Sequence, residues 1–124
     1  DAPKENRSSG HILNEKKNLE PTPWYVAPDP DPACSIHSSP RDIAKWLQFL
    51  LNEGEHNGKQ LISQESLKET FTPQLVIRQK GFARDLAPES NLMSYGLGWV
   101  IQDYRGKLLY AHAGLIDGFR VQFS

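Results

Sequence analysis

Cysteine is nearly absent: Cys34 is the only one in 124 residues. That excludes an internal disulfide framework and a cysteine-rich zinc site. A dominant charge is also missing, because 14 basic residues face 15 acidic ones for a formal net charge of −1. With no basic stripe, neither a nucleic acid nor a membrane surface is indicated as a partner. No apolar run approaches the roughly 20 residues that a membrane-spanning helix needs. The first residues, Asp1-Ala2-Pro3-Lys4-Glu5, are polar and do not resemble a secretory leader. Internal repeats and low-complexity tracts are lacking. The remainder, 38% hydrophobic and 23% charged, reads as a soluble globular chain of one domain or less. A chain of this mass buries roughly two-thirds of its unfolded surface, enough for one modest core.

Self-sufficient catalytic motifs are missing as well. There is no Gly-x-Ser-x-Gly, so a nucleophile elbow is not supported. There is no His-Glu-x-x-His and no glycine-rich phosphate loop. His11, His37, His56 and His112 are scattered without metal-ligand spacing, so neither a metal nor a cofactor is implied. Cys34, next to Ser35, could serve as a nucleophile, but a lone cysteine reads first as a small packed hydrophobe.

Several elements are nonetheless legible. Residues 1–9 read as a polar, disordered end. Gly10 to Leu13 suits a short strand, Asn14 to Asn18 a turn, and Leu19 resumes an extended run. Five of the nine prolines lie between Pro21 and Pro32. Proline fixes φ and donates no amide hydrogen, so this stretch is expected to be an extended loop, with Trp24, Tyr25 and Val26 pinning it down. Ser39-Pro40-Arg41-Asp42 has the form of a helix start. Ile43, Trp46, Leu47 and Leu50 recur at i, i+3, i+4 and i+7, and Gly54 offers a stop, so the pattern predicts a helix over 40–53. Asn57-Gly58 is a turn, and Ser63 caps a shorter helix through Phe71 ahead of Pro73. Residues 74–93 carry mixed signals and read as a long excursion. The last third predicts an antiparallel meander of three strands: Tyr95 to Gln102, Lys107 to Ala113, and Phe119 to Ser124, with turns at Tyr104-Arg105-Gly106 and across Gly114 to Gly118. The fold class expected is α/β (α+β), with helices packed on a mainly antiparallel sheet. Local signals agree best in the 40–53 helix, which is expected to be the most robust element, and the strand from Phe119 onward the least.

His112-Ala113-Gly114 falls at the expected end of the second strand. A histidine there can offer a proton or a positive charge, and a glycine lets a ligand approach the backbone. The pattern alone favours the plainer reading, a histidine satisfied by backbone at a strand end.

Four segments, in order, resemble the serine β-lactamase and penicillin-binding-protein superfamily in its class C-like branch. They are Pro32-Ala33-Cys34-Ser35-Ile36-His37-Ser38-Ser39 leading into Arg41 to Leu47; Leu61-Ile62-Ser63 with its helix and Thr72-Pro73; Tyr95-Gly96-Leu97-Gly98-Trp99; and His112-Ala113-Gly114 followed by Asp117-Gly118-Phe119. The resemblance implies a partial β-lactamase/transpeptidase-like domain over 10–124. It implies acyl transfer to or hydrolysis of an amide, β-lactam, ester or D-amino-acid peptide, in the manner of a β-lactamase, D-Ala-D-Ala carboxypeptidase or esterase. It implies a periplasmic or secreted location.

The family nucleophile belongs to Ser-x-x-Lys, and no serine here has lysine three positions later. No tyrosine fits Tyr-x-Asn either: residues 27, 97, 106 and 112 stand at that offset as Ala, Leu, Gly and His. The resemblance therefore implies an interior-to-C-terminal piece of a longer enzyme, inactive alone and lacking the last sheet strands. Within it, His112 takes the cationic or hydrogen-bonding role of the third family motif. Gly114 permits close approach, and the Leu115 amide supplies one oxyanion donor. Ala113 departs from Lys-Thr-Gly members by lacking the hydroxyl that holds a substrate carboxylate. Cys34 and Ser35 stand in a loop that lines the substrate pocket in relatives. The alternative is a non-catalytic homologue of the same fold that binds a ligand or partner.

Overall fold

The computed structural model describes Glu5, residues 7–24, Ala33 and residues 35–124. Tyr25, Val26 and Cys34 lie outside the described residues. The chain divides into two compact units: residues 1–39 with 113–122, and residues 40–112 with 123–124.

In the first unit, β1 (His11–Leu13) and β2 (Leu19–Pro21) form an antiparallel hairpin with His11 opposite Pro21. Asn14 makes the turn. Its Oδ1 accepts from the Lys16 and Asn18 amides, both at 2.9 Å, which lets the chain reverse where Lys17 takes a φ of 60°. Trp24 stacks on His37 at 5.2 Å and meets Phe119 edge-on at 6.2 Å. Arg7 lies 4.4 Å from the Trp24 ring centroid. Gly118 approaches Gly10 and His11 so closely that a Cβ there would sit 2.6 Å from the His11 nitrogen.

The second unit opens with α1 (Pro40–Leu51). Proline suits the first helical position, where no amide hydrogen is required, and Asp42 in the first turn pairs with Lys45 at 2.8 Å. The helix stops two residues before the sequence pattern predicts. The Gly54 amide reaches the Phe49 carbonyl and the Glu53 amide reaches that of Leu50, both at 3.0 Å. This is a Schellman closure in which Glu53, not Gly54, holds the left-handed C′ position with a φ of 54°. Gly54 follows at a φ of 87°, with the Ile62 carbonyl 2.6 Å from where its Cβ would be. Of the predicted stripe, Ile43, Leu47 and Leu50 are half-buried, but Trp46 is exposed and Phe49 takes the buried place. Phe49 is 8% exposed, whereas Trp46 is 42% exposed and lies against Phe49 with ring centroids 5.4 Å apart.

β3 (Glu55–His56) and β4 (Lys59–Gln60) form a hairpin around Asn57-Gly58, both at positive φ, as a two-residue primed turn requires. α2 (Gln64–Thr70) is capped by Ser63, whose Oγ accepts from the Ser66 amide at 3.1 Å. The predicted excursion over 74–93 contains ordered elements: β5 (Leu75–Ile77) and α3 (Phe82–Leu86) precede β6 (Met93–Tyr95). A three-residue strand and a five-residue helix are too short for periodicity to register.

β7 (Val100–Tyr104), β8 (Lys107–Ile116) and β9 (Phe119–Phe123) complete a five-stranded sheet in the order β5-β6-β7-β8-β9. The three pairings from β5 to β8 are antiparallel. The expected strand from Tyr95 to Gln102 is broken. Gly96 to Trp99 turn between β6 and β7, closed by the Gly96 amide on the Trp99 carbonyl at 2.8 Å, with Gly98 at a φ of 87°. Alternation of Tyr95, Leu97, Trp99 and Ile101 loses here to two glycines that accept a bend. The turn expected across Gly114 to Gly118 shrinks to Asp117-Gly118, because β8 continues through Gly114 to Ile116. His112 consequently lies inside a strand and not at its end.

The core of the second unit sits on the sheet and on α2. Leu67, Trp99, Ile101 and Ala111 are buried. Phe71 meets Trp99 at 5.2 Å and Tyr110 at 4.6 Å, and Trp99 meets Phe123 at 5.9 Å. Each aromatic pair contributes about 0.5–1.5 kcal/mol beyond its buried area.

Candidate functional site

His112 is carried by the middle of β8 and is half-buried. Register fixes its place. Tyr95 lies opposite Val100, and Val100 opposite Ala111, so one line of paired residues crosses β6, β7 and β8 just before His112. Ala111 is buried on that line. From the end of β6, Tyr95 extends its hydroxyl to His112 Nε2 at 3.1 Å. The two rings meet edge-on, with centroids 6.3 Å apart and planes at 65°.

Tyr95 is itself held firmly. Its carbonyl accepts from the Gln74 amide at 2.9 Å. The next residue, Gly96, faces the Thr70 carbonyl, and a Cβ at Gly96 would press into that oxygen and sit 3.1 Å from the Thr72 carbonyl. The same Thr70 carbonyl accepts from the Leu97 amide at 2.9 Å. One orphan acceptor at the end of α2 is thereby satisfied by the sheet corner that presents Tyr95. A side chain at 96 would separate the two, so glycine there is a packing requirement.

The other predicted residues fall as follows. Ala113, Gly114 and Leu115 continue β8 beyond His112. Leu115 turns an exposed side chain outward, at 78%. Gly114 has a structural use of its own: a Cβ there would sit 2.9 Å from Val121 Cγ1 on β9. Ser35 is half-buried, and Cys34 lies outside the described residues. Four of the six residues thus share one strand, and sequence reasoning missed the partner that orients the first of them. Tyr95 and His112 are 17 positions apart, beyond any local spacing rule. The available signal was Tyr95-Gly96-Leu97-Gly98-Trp99, whose glycines mark a corner.

A second polar cluster secures the approach to β6. The Asp103 carboxylate accepts from the Leu92 amide at 2.7 Å, the Asn91 amide at 2.8 Å and Asn91 Nδ2 at 3.1 Å. The hydroxyl of Ser90, a residue almost wholly buried, lies 3.0 Å away. These donors, led by the Leu92 amide and the Asn91 side chain, lower the Asp103 pKa from 3.8 to about 2. Arg105 adds a two-point contact to Glu89 at 2.8 and 3.1 Å. The cluster ties the loop before β6 to Asp103 on β7 and to Arg105 in the turn after it. Among the described residues no group of three or more His, Cys, Asp or Glu could hold a metal ion, and no helix is long and apolar enough to cross a membrane.

Comparison with known proteins bears on the family and the fold. A family model described as Beta-lactamase matches residues 1–123. The chain is 34% identical over 116 residues to the protein named Unguisins hydrolase ungD of Aspergillus violaceofuscus (strain CBS 115571), a match over 90% of this chain and 20% of that protein. It thus spans about a fifth of the length of that relative. The octameric penicillin-binding protein homologue from Pyrococcus abyssi superposes with a TM-score of 0.68 at 22% identity, covering 93% of this chain and 23% of that one. That likeness concerns the fold, a mixed helical and antiparallel-sheet arrangement of penicillin-binding-protein type. With a family model matched along nearly its whole length, and with His112-Ala113-Gly114 seated on a sheet strand, the chain belongs to the beta-lactamase family.

Proposed function

We propose that this chain forms the His-x-Gly side of the active site of a serine hydrolase that cleaves an amide, β-lactam or ester through an acyl-enzyme. The observation that carries the reading is the 3.1 Å contact between Tyr95 on β6 and His112 on β8. A half-buried imidazole held by one nitrogen on a rigid strand is a pre-oriented donor, and orientation is what a transition-state contact requires. The relative named as a hydrolase of unguisins supports hydrolysis as the chemistry.

In this reading a serine and lysine outside residues 1–124 provide the nucleophile and its base, because no Ser-x-x-Lys is present here. Serine attacks the carbonyl carbon, and the negative charge that develops on oxygen is met by backbone amides, Leu115 among them. His112 offers a proton or positive charge toward the substrate. Water then releases the acyl group. Small substrates of the amide, lactam, ester or D-amino-acid peptide class fit this chemistry, and Ala113 offers no hydroxyl for a substrate carboxylate. The family likeness favours action in the periplasm or outside the cell.

Labelling tests the proposal. In the full-length protein, a fluorophosphonate or penicillin probe should modify one serine outside residues 1–124, in a Ser-x-x-Lys context. The 124-residue chain alone should take up no probe. Labelling of a serine within the chain, abolished by replacing that serine alone, would refute the proposal.

A further inference from the structure

We infer that Tyr95 is the positioning residue for His112: its hydroxyl donates to Nε2, holds the neutral ring with its proton on Nδ1, and leaves Nδ1–H as the group turned to an acceptor oxygen of the substrate. The last clause rests on the proposed function; the assignment of the proton does not.

The geometry narrows the choice. Among the described residues the hydrogen-bond partner of the His112 ring is the Tyr95 hydroxyl, 3.1 Å from Nε2. Two proton arrangements would close that bond. A phenol is a much stronger acid than a neutral imidazole N–H, and an imidazole nitrogen lone pair is a better acceptor than a phenol oxygen. The matched pair is therefore O–H to N, with the ring proton on the far nitrogen. The edge-on ring contact at 65° limits rotation of the imidazole about its own axis. The backbone contacts of Gly96 with Thr70 and of Tyr95 with Gln74 limit movement of the tyrosine. Both the tautomer and the direction of the ring are thus set by a residue that need not touch substrate.

The same hydroxyl serves the cationic ring. When the imidazole takes up a second proton, Nε2 becomes a donor, and the hydroxyl can rotate to accept from it. Ring direction is then unchanged between the two states, and Nδ1–H faces the acceptor in both. The class of group recognised is accordingly an oxygen acceptor, a carbonyl or carboxylate oxygen, and not a donor such as an ammonium.

The test is the ring ¹⁵N spectrum of His112 in the labelled full-length protein at about pH 8.5, where an ordinary imidazole is neutral. The expected result is a protonated Nδ1 and a lone-pair Nε2. Tyr95→Phe should raise the share of the Nε2–H form about fivefold, as loss of one hydrogen bond allows. Serine labelling should persist in that variant. A wild-type ring with its proton on Nε2 would overturn the assignment, as would a folded Tyr95→Phe protein with an unchanged tautomer ratio. If the variant does not fold, the wild-type spectrum decides alone. A shifted tautomer with unaltered turnover would leave the Tyr95 assignment standing and remove His112 from the proposed chemistry.

Discussion

Gly96 and Gly98 stand two residues apart in one corner, yet glycine is required at each for a different reason. At Gly96 φ is not in the left-handed region, but an added Cβ would press into the Thr70 carbonyl and lie 3.1 Å from the Thr72 carbonyl and 3.2 Å from Ile101 Cδ1. Two of these three neighbours are backbone, which cannot rotate away. At Gly98 the space is open, but φ is +87°. Gly96→Ala therefore incurs overpacking, about 1–3 kcal/mol, and strains the Leu97–Thr70 hydrogen bond, worth about 1 kcal/mol. Lower entropy of the unfolded alanine chain returns about 0.4–1 kcal/mol. The net loss is about 2–3 kcal/mol. Gly98→Ala incurs only the left-handed penalty of about 1–2 kcal/mol, less the same entropic return, for a net loss of about 1 kcal/mol. With a urea slope of about 1–3 kcal/mol per molar, Gly96→Ala should lower the unfolding midpoint by about 1–2 M and Gly98→Ala by clearly less. Because Gly96 adjoins Tyr95, only the first variant should also disturb the His112 ring signals. Equal or reversed losses, or a Gly96→Ala protein with unaltered His112 signals, would refute the argument that packing against Thr70 sets the position of Tyr95.

Three further outcomes are expected. His112→Ala in the full-length protein should lower kcat/KM by about 100-fold with little change in stability, since a contact to developing charge is worth roughly 3 kcal/mol; near-normal turnover, or simple unfolding, would contradict this. Asp103 has a folded pKa of about 2 against an ordinary 3.8, so its ionised form stabilises the fold above about 3.8, and that contribution fades as pH falls from about 3.8 toward about 2; Asp103→Asn should flatten the stability profile in that window, and urea midpoints across it provide the check. In hydrogen exchange, amides of β7 and the first half of β8 should be slowest and those from Phe119 onward faster, because Ile101 and Ala111 are buried there; slowest exchange in α1 would instead mean that local helix signals outweigh sheet burial.

How much of this was legible depends on the range of each signal. The hairpins at Asn57-Gly58 and Arg105-Gly106 were readable because positive φ is demanded of particular residues in adjacent positions. Ser63 announced α2 for the same local reason. The end of α1 was legible only in part: a glycine near a helix terminus marks a stop, but whether it fills C′ or the next position depends on what approaches it, here the Ile62 carbonyl. β5 and α3 escaped because elements of three and five residues complete too little of a period. The strand expected over Tyr95 to Gln102 failed for a tertiary reason: alternation was satisfied on paper, while Gly96 was needed to let the sheet reach Thr70. Of the candidate site, His112, Ala113, Gly114 and Leu115 were singled out together because they are consecutive. Tyr95 was visible as part of a motif, but its role was not.

That omission bears on how the sheet and the candidate site are connected. His112 belongs to β8, whose register against β7 is fixed by five paired positions from Val100–Ala111 to Tyr104–Lys107. Tyr95 belongs to β6, whose end is fixed by α2 through Thr70 and Gly96. The two side chains meet only if β6, β7 and β8 are in register and α2 sits against the corner. Trp99, between the strands, meets Phe71 at the end of α2 and Phe123 on β9, and so ties the same pieces through packing. A cavity at Trp99 would therefore act on His112 without touching it, by loosening the corner that carries Tyr95. Trp99→Phe, which keeps an aromatic ring but leaves a small void, should destabilise the second unit modestly and let the His112 tautomer drift toward that of Tyr95→Phe. The size of the second effect relative to the first measures how tightly the site depends on the fold. Loss of stability with an undisturbed tautomer would show that Tyr95 and His112 hold each other without help from the corner.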